Sequence, residues 1–232
     1  MANHTNNNYK HLVWLIGVFF VSYFATIILQ NRIVAVGHYF FCAAVLVYPL
    51  SYSIANVITE VYGYKISRQL IFLGLVCWIV IASLIEITIK APVPAFWQSY
   101  DREYDAVMEP VFRGVVLSSF AVIIGQFVNI YILTNLKLRA HGRFFILRNI
   151  TSTAVGDFVT VVLALLGVFI GRMPVFKIME LSVFEYTFMA LYTIITSVPI
   201  AVIATYLKKA EGITDYSDTF NPIKEKHNSN II

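Results

Sequence analysis

An all-α integral membrane protein of six transmembrane helices, with both termini on the cytoplasmic side, is the fold class this sequence predicts. Hydrophobic residues make up 59% of the 232 and charged residues only 13%, at a mean hydropathy of +0.74. A soluble domain carries about a quarter charged residues. The apolar residues gather into six charge-poor runs, each near the roughly 20 residues a helix needs to cross about 30 Å of hydrocarbon. The basic residues fall mostly on one side of those runs.

In chain order, the spans are expected at about 12–30, 38–60, 69–89, 114–136, 150–171 and 186–207, all in one domain covering 1–232. Lys10 and His11 give the first run a signal-peptide look, but it is too long for an h-region and has no Ala-x-Ala site, so it is kept as a span. The second run carries Pro49 and Glu60. Both are costly at membrane depth: the proline removes a helix hydrogen bond, and the carboxylate must find a partner or a wet cavity. The third ends near Glu86, an interfacial residue or a partner of Lys90. The 90–113 connection holds Pro92, Pro94, Trp97 and the acidic set Asp101, Glu103, Asp105 and Glu109. It reads as a solvated connector with Trp97 at the headgroup belt, or as an interfacial helix or lid. Residues 208–232 read as a polar cytoplasmic tail.

With the N-terminus inside, Lys10, Lys65, Arg68, Lys137, Arg139, Arg143, Arg148, Lys208, Lys209, Lys224 and Lys226 lie on the cytoplasmic side. Arg32, Lys90, Arg102, Arg113, Arg172 and Lys177 lie outside, eleven against six. The net charge of +4 is accounted for by juxtamembrane Lys and Arg facing anionic lipid, so the bilayer and not a nucleic acid is the expected partner. Cys42 and Cys77 both fall inside spans, and histidines 4, 11, 38, 141 and 227 have no metal-ligand spacing. No disulfide, metal or cofactor is expected.

Within the spans, polar residues recur at helical spacing. Pro49, Ser53, Asn56 and Glu60 stack on one face of the second; Asn149, Thr153, Gly156, Asp157 and Thr160 do so in the fifth, and Ser119, Gln126 and Asn129 in the fourth. The Ser and Thr residues suit helix packing, while Gln126 and Asn129 suit either interhelical bonding or a ligand. Glu60, near the cytoplasmic end of its span, has Lys65, Arg68 and Arg148 as candidate partners. Asp157 sits roughly 10 Å in from the cytoplasmic end of the fifth span, where an unpartnered carboxylate is costly.

These residues resemble a known family. The run Tyr48-Pro49-Leu50-Ser51 through Asn56-Val57-Ile58-Thr59-Glu60-Val61-Tyr62-Gly63 is similar to the helix-two signature of queuosine precursor transporters, in the vitamin uptake transporter group. Ser118-Ser119-Phe120 with Gly125-Gln126-Phe127-Val128-Asn129 resembles the family's Gln-x-x-Asp element, and Arg148-Asn149 through Gly156-Asp157 its Arg…Ser-Thr…Asp element. Tyr192 to Pro199, with Leu207-Lys208-Lys209, takes the place of its proline-containing sixth helix. Asn56 and Asn129 stand where the family has Asp, and an amide cannot titrate. The resemblance covers about 12–209 and implies a bundle like that of vitamin-capture subunits. It implies inner-membrane import of 7-cyano- or 7-aminomethyl-7-deazaguanine, or queuine, for tRNA modification.

A guanine-like edge offers two parallel N–H donors beside a carbonyl. A carboxylate accepts the pair and an amide donates to the carbonyl. Glu60 or Asp157 suits the first task, and Gln126, Asn56 or Asn129 the second; Arg148 belongs to the same polar set. Tyr52 is a candidate for stacking, as are Tyr48, Tyr62 and Phe158. The site is expected between two three-helix halves, lined by helices two, four and five. An alternative is the substrate-binding subunit of an ATP-driven uptake complex, whose ATPase would be a separate partner because no Gly-x-x-x-x-Gly-Lys-Ser/Thr loop occurs here. Enzyme chemistry is not expected: the Tyr-Asp plus Gly-x-Gly-Asp pairing of intramembrane aspartyl proteases and a Gly-x-Ser-Gly motif are both missing.

Overall fold

The computed structural model describes residues 9–30, 32–36, 39–169 and 174–213. Arg172, Lys224, Lys226, the histidines at 4, 38 and 227, and the tail beyond 213 lie outside the described residues. Six helices are long and apolar enough to cross a membrane among those described. They are α1 (Leu12–Leu29), α2 (Tyr48–Tyr62, which spans together with the turn Ala43–Leu46 before it), α3 (Tyr64–Ile89), α4 (Gln98–Arg139), α5 (Phe145–Phe169) and α6 (Val175–Ala210). A short antiparallel hairpin, β1 (Ile33–Val36) and β2 (Tyr39–Cys42), and a 3-10 turn at Ala43–Leu46 join α1 to α2.

The second membrane run is therefore composite. Its first residues pair as a strand, and the α-helix begins only at Tyr48, with Pro49 in the first turn. This corrects the expectation of a mid-span proline. In a first turn the missing N–H would have had no intrahelical partner, and the fixed φ of proline favours helix initiation. Pro49 thus starts α2 and does not break it. The 90–113 connection is helical from Gln98 onward. The resulting 42-residue α4 is about 63 Å long and extends well past a hydrocarbon core of about 30 Å.

At the other end of α2, Gly63 alone separates it from α3 at φ 92°. An L side chain would be strained there, so glycine permits the abrupt reversal. The two helices are stapled across the turn by a hydroxyl–hydroxyl hydrogen bond between Thr59 and Ser67 at 2.8 Å.

Helix α2 is the centre of the bundle: 83% of its span window is buried, against 28% for α1, α3 and α6. That difference explains why α2 carries the polar seam, since only a helix enclosed by protein can hold such groups away from lipid. α1 and α3 pack through Phe19, Tyr23 and Trp78, with Tyr23 and Trp78 rings stacked at 4.4 Å and Trp78 Nε1 donating to Tyr23 O at 2.9 Å. Gly74 lets Tyr23 lie against α3. At the opposite side, Phe41 of the hairpin stacks on Phe184 and Phe188 of α6.

The start of α1 and the end of α6 meet on one face. Glu211 accepts hydrogen bonds from the backbone N–H groups of Lys10 (3.3 Å) and His11 (2.9 Å), and from the Tyr62 hydroxyl at 3.1 Å. We call this the terminal face. The α2–α3 turn and the end of α4 lie there too, whereas the hairpin and the start of α4 lie at the far face.

Candidate functional site

Side chains of α2, α4 and α5 meet in three layers, one helical turn apart. Along α2 these are marked by Tyr52, Asn56 and Glu60, at steps of four residues, or about 6 Å each. All three are buried.

In the layer nearest the terminal face, Glu60 is 1% exposed and surrounded by cations. Arg148 of α5 reaches its two oxygens from Nη1 (3.1 Å) and Nη2 (3.4 Å), and Lys208 of α6 bonds Oε1. Lys137 of α4 lies 3.8 Å from Oε1 and donates to the Glu60 carbonyl at 2.8 Å. Arg148 is further held by the carbonyls of Gly142 and Arg143. Of the partners foreseen, only Arg148 is engaged. Lys65 and Arg68 are exposed, and Arg68 lies over the Tyr64 ring. Lys137 and Lys208 were counted among the juxtamembrane cations, and a charge count does not show which of these turns inward to Glu60, 77 and 148 residues away. Glu86 pairs with Lys90 at 2.8 Å.

The middle layer is a closed amide network. Asn56 Nδ2 donates to Asn149 Oδ1 and Thr153 Oγ1, both at 2.8 Å, and Asn129 Nδ2 donates to Asn56 Oδ1 at 2.7 Å. Thr153 donates to Asn129 Oδ1 and Asn149 to Ser197 of α6. The network ties four helices together and makes few demands on a ligand.

One turn further from the terminal face the pattern reverses. Gln126 follows Asn129 outward on α4, and Asp157 follows Thr153 outward on α5, at the level of Tyr52. Gln126 is 0% and Asp157 1% exposed, yet neither amide atom of Gln126 and neither oxygen of Asp157 has a hydrogen-bond partner among the described residues. Gln30 and Asp105 each leave one atom unpaired; Gln126 and Asp157 leave their whole head groups so. Buried polar groups are nearly always satisfied, and an orphaned one costs about 1–3 kcal/mol, more if charged.

The two helices bearing them are in backbone contact. A Cβ on Gly125 would lie 2.6 Å from Gly156 O, and one on Gly156 would lie 2.8 Å from Gly125 O. Gln126 and Asp157 are the next residues along. Tyr52 completes the layer: its hydroxyl is 2.6 Å from Thr160 Oγ1 and 3.3 Å from that of Tyr48.

The other aromatic candidates lie elsewhere. Phe158 is 55% exposed and packs edge-on against Tyr186, and Tyr62 is engaged with Glu211 and the Tyr9 ring at the terminal face. Ser119 and Ser53 spend their hydroxyls on carbonyls of their own helices, Val115 and Pro49.

No curated protein and no solved structure matches the chain. The family described as "putative vitamin uptake transporter" matches residues 42–204, well over half of the sequence and the three layers of the site apart from Lys208. With its six membrane-spanning helices, the chain belongs to the vitamin uptake transporter family and is a multi-pass membrane protein.

Proposed function

We propose that this protein imports a queuosine precursor, 7-cyano- or 7-aminomethyl-7-deazaguanine or queuine, across the inner membrane, so that the base can be salvaged into tRNA. The terminal face is then cytoplasmic, and the layer of Tyr52, Gln126 and Asp157 is the substrate site. The observation that carries this reading is the pair of orphaned head groups, Asp157 and Gln126. A purine-like edge matches what they lack: two parallel N–H donors for the carboxylate, and an adjacent carbonyl for the amide N–H. Tyr52 supplies a flat face beside them. Asn56 and Asn129 act as the floor of the site, and Glu60 with Arg148, already saturated by one another and two lysines, closes its cytoplasmic side.

The signature residues of helices two, four and five support this substrate over other vitamins, because the residues that resemble the queuosine precursor transporters are the ones that assemble into the layers. The experiment is restoration of queuosine in tRNA. A host that neither makes 7-deazaguanines nor has an importer of its own should regain the modification when it expresses this chain and is given a low external concentration of precursor. Failure of all three bases, with the protein present in the membrane, would refute the substrate.

A further inference from the structure

We propose that the last part of α6 is the cytoplasmic gate through which the bound base leaves, an arm hinged at Pro199 and latched shut by Lys208 and Glu211. The inference rests on the substrate reading above and supplies the moving part that import requires.

Anchor, hinge and arm follow one another along α6. Ser197 fixes the helix to the amide layer, its hydroxyl accepting from Asn149 Nδ2 at 3.3 Å. Two residues on, Pro199 stands inside the helix. Proline has no N–H, so the carbonyl of Ile195 loses its intrahelical partner, and helices bend most readily where that bond is missing. From Ile200 to Ala210 the arm runs eleven residues, about 16 Å. It lies on the bundle by one narrow stripe, Ile200, Ala204 and Leu207, while Val202, Ile203 and Tyr206 are exposed.

The polar ties of the arm to other helices come at its far end. Lys208 bonds Glu60 of α2, and Glu211, just past the helix, accepts from the Tyr62 hydroxyl and from the N–H groups of Lys10 and His11. With the hinge about 13 Å away, a bend of about 20° at Pro199 carries Lys208 about 5 Å from Glu60, enough to part the pair.

The Glu60 cluster is arranged so that this cation can leave. Lys208 keeps 30% of its side chain exposed, against 5% for Lys137 and 4% for Arg148, so water takes up its ammonium group as the arm lifts. Lys137 is also held by the Glu60 carbonyl, and Arg148 by the carbonyls of Gly142 and Arg143. Both stay behind, and the buried carboxylate keeps partners throughout. Moving α4 or α5 instead would strip Glu60 of a buried cation, which is costly, and would part the backbone contact at Gly125 and Gly156.

The motion is tested on the full chain in nanodiscs, first without a ligand. With Cys42 and Cys77 replaced by serine, spin labels go onto Tyr206→Cys of the arm and Lys65→Cys of α3, both at exposed positions. The label-to-label distances should form a major closed and a minor open population. Lys208→Gln should enlarge the open one at least about threefold, and adding Pro199→Ala should shift it back toward closed. In proteoliposomes, Pro199→Ala alone should slow import of the tritiated bases, 7-cyano- and 7-aminomethyl-7-deazaguanine and queuine, at least about fivefold while leaving their binding within about twofold of wild type. Distances that neither substitution alters would overturn the gate. So would import by Pro199→Ala at the wild-type rate. Failure of the wild type to import any of the three bases would overturn the substrate reading, and the distances would still decide whether the arm moves.

Discussion

Glu60 and Asp157 are chemically near-identical, equally buried and both in membrane-spanning helices, yet their surroundings are opposite. Glu60 has three cations around it, and Asp157 has no partner among the described residues. Removing the charge should therefore have opposite effects on stability. Glu60→Gln leaves Lys137, Arg148 and Lys208 without their shared carboxylate, and breaking a buried pair costs about 3–5 kcal/mol. Thermal unfolding in detergent should fall sharply, with near-normal ligand affinity in whatever protein survives. Asp157→Asn breaks no ion pair and replaces one unpaired buried polar group with another, so it should hold or raise the unfolding temperature. It should weaken deazaguanine binding roughly 30- to 1000-fold, the equivalent of about 2–4 kcal/mol. A stable Glu60→Gln, or an Asp157→Asn that binds normally, would contradict this division of roles. The helical steps that line up Asn56 with Glu60 and Thr153 with Asp157 are legible in the sequence. Which acid is paired is not, because Lys137 and Lys208 read as lipid-facing juxtamembrane cations until packing turns them onto Glu60.

Between elements, the contact that sets the site is the α4–α5 crossing at Gly125 and Gly156. An alanine at Gly125 would place its Cβ 1.8 Å from Thr160 Oγ1 and 2.6 Å from Gly156 O. The hydroxyl can rotate away but the carbonyl cannot, so the helices must part. Gly156→Ala meets Asn129 Cβ at 2.7 Å and Gly125 O at 2.8 Å, with the same result. Each should cost about 1–3 kcal/mol or more by overpacking. The Asn129–Asn56 bond would also be strained. Gly17→Ala is the control: nothing lies within 4 Å of its added Cβ, and mid-helix alanine is favoured over glycine by up to about 1 kcal/mol. Unfolding temperatures that rank Gly17→Ala below either crossing variant would refute the close approach. Six long apolar runs made the helices legible at this scale. The hairpin was not, because Tyr39-Phe40-Phe41-Cys42 is apolar in either conformation and hydropathy alone cannot separate a short strand from a helix. The same ambiguity moved Pro49 from an expected mid-span position to a helix start.

Across the whole bundle, α2, α4 and α6 all end on the terminal face, and each end carries partial negative charge of about half a unit. Lys137, Arg148 and Lys208 gather where those ends and Glu60 converge, which accounts for three cations around one carboxylate. The positive ends lie on the same face, among them the start of α1. That helix has no acidic residue in its first turn and no side-chain cap of its own. Glu211, arriving from beyond α6, takes both roles by accepting from the N–H groups of Lys10 and His11 while Tyr62 ties it to α2. What burial this carboxyl has works to raise its pKa, but those two amides and the Tyr62 hydroxyl outweigh it and hold the group below the usual carboxylate range. A carboxyl depressed in the folded state stabilises the fold above its unfolded pKa of about 4.3, and that contribution is lost as pH falls through the folded value. Glu211→Gln should thus lower the unfolding temperature at pH 7 by roughly 2–4 °C, the size expected for one capping interaction of about 1 kcal/mol. The gap between wild type and variant should close as the pH is taken below about 4. Unfolding curves of both proteins across pH 3–8 read this directly. A gap that is constant over the range would mean that the Glu211 side chain matters for its shape and not its charge, and the closure of the terminal face by this acid would have to be abandoned.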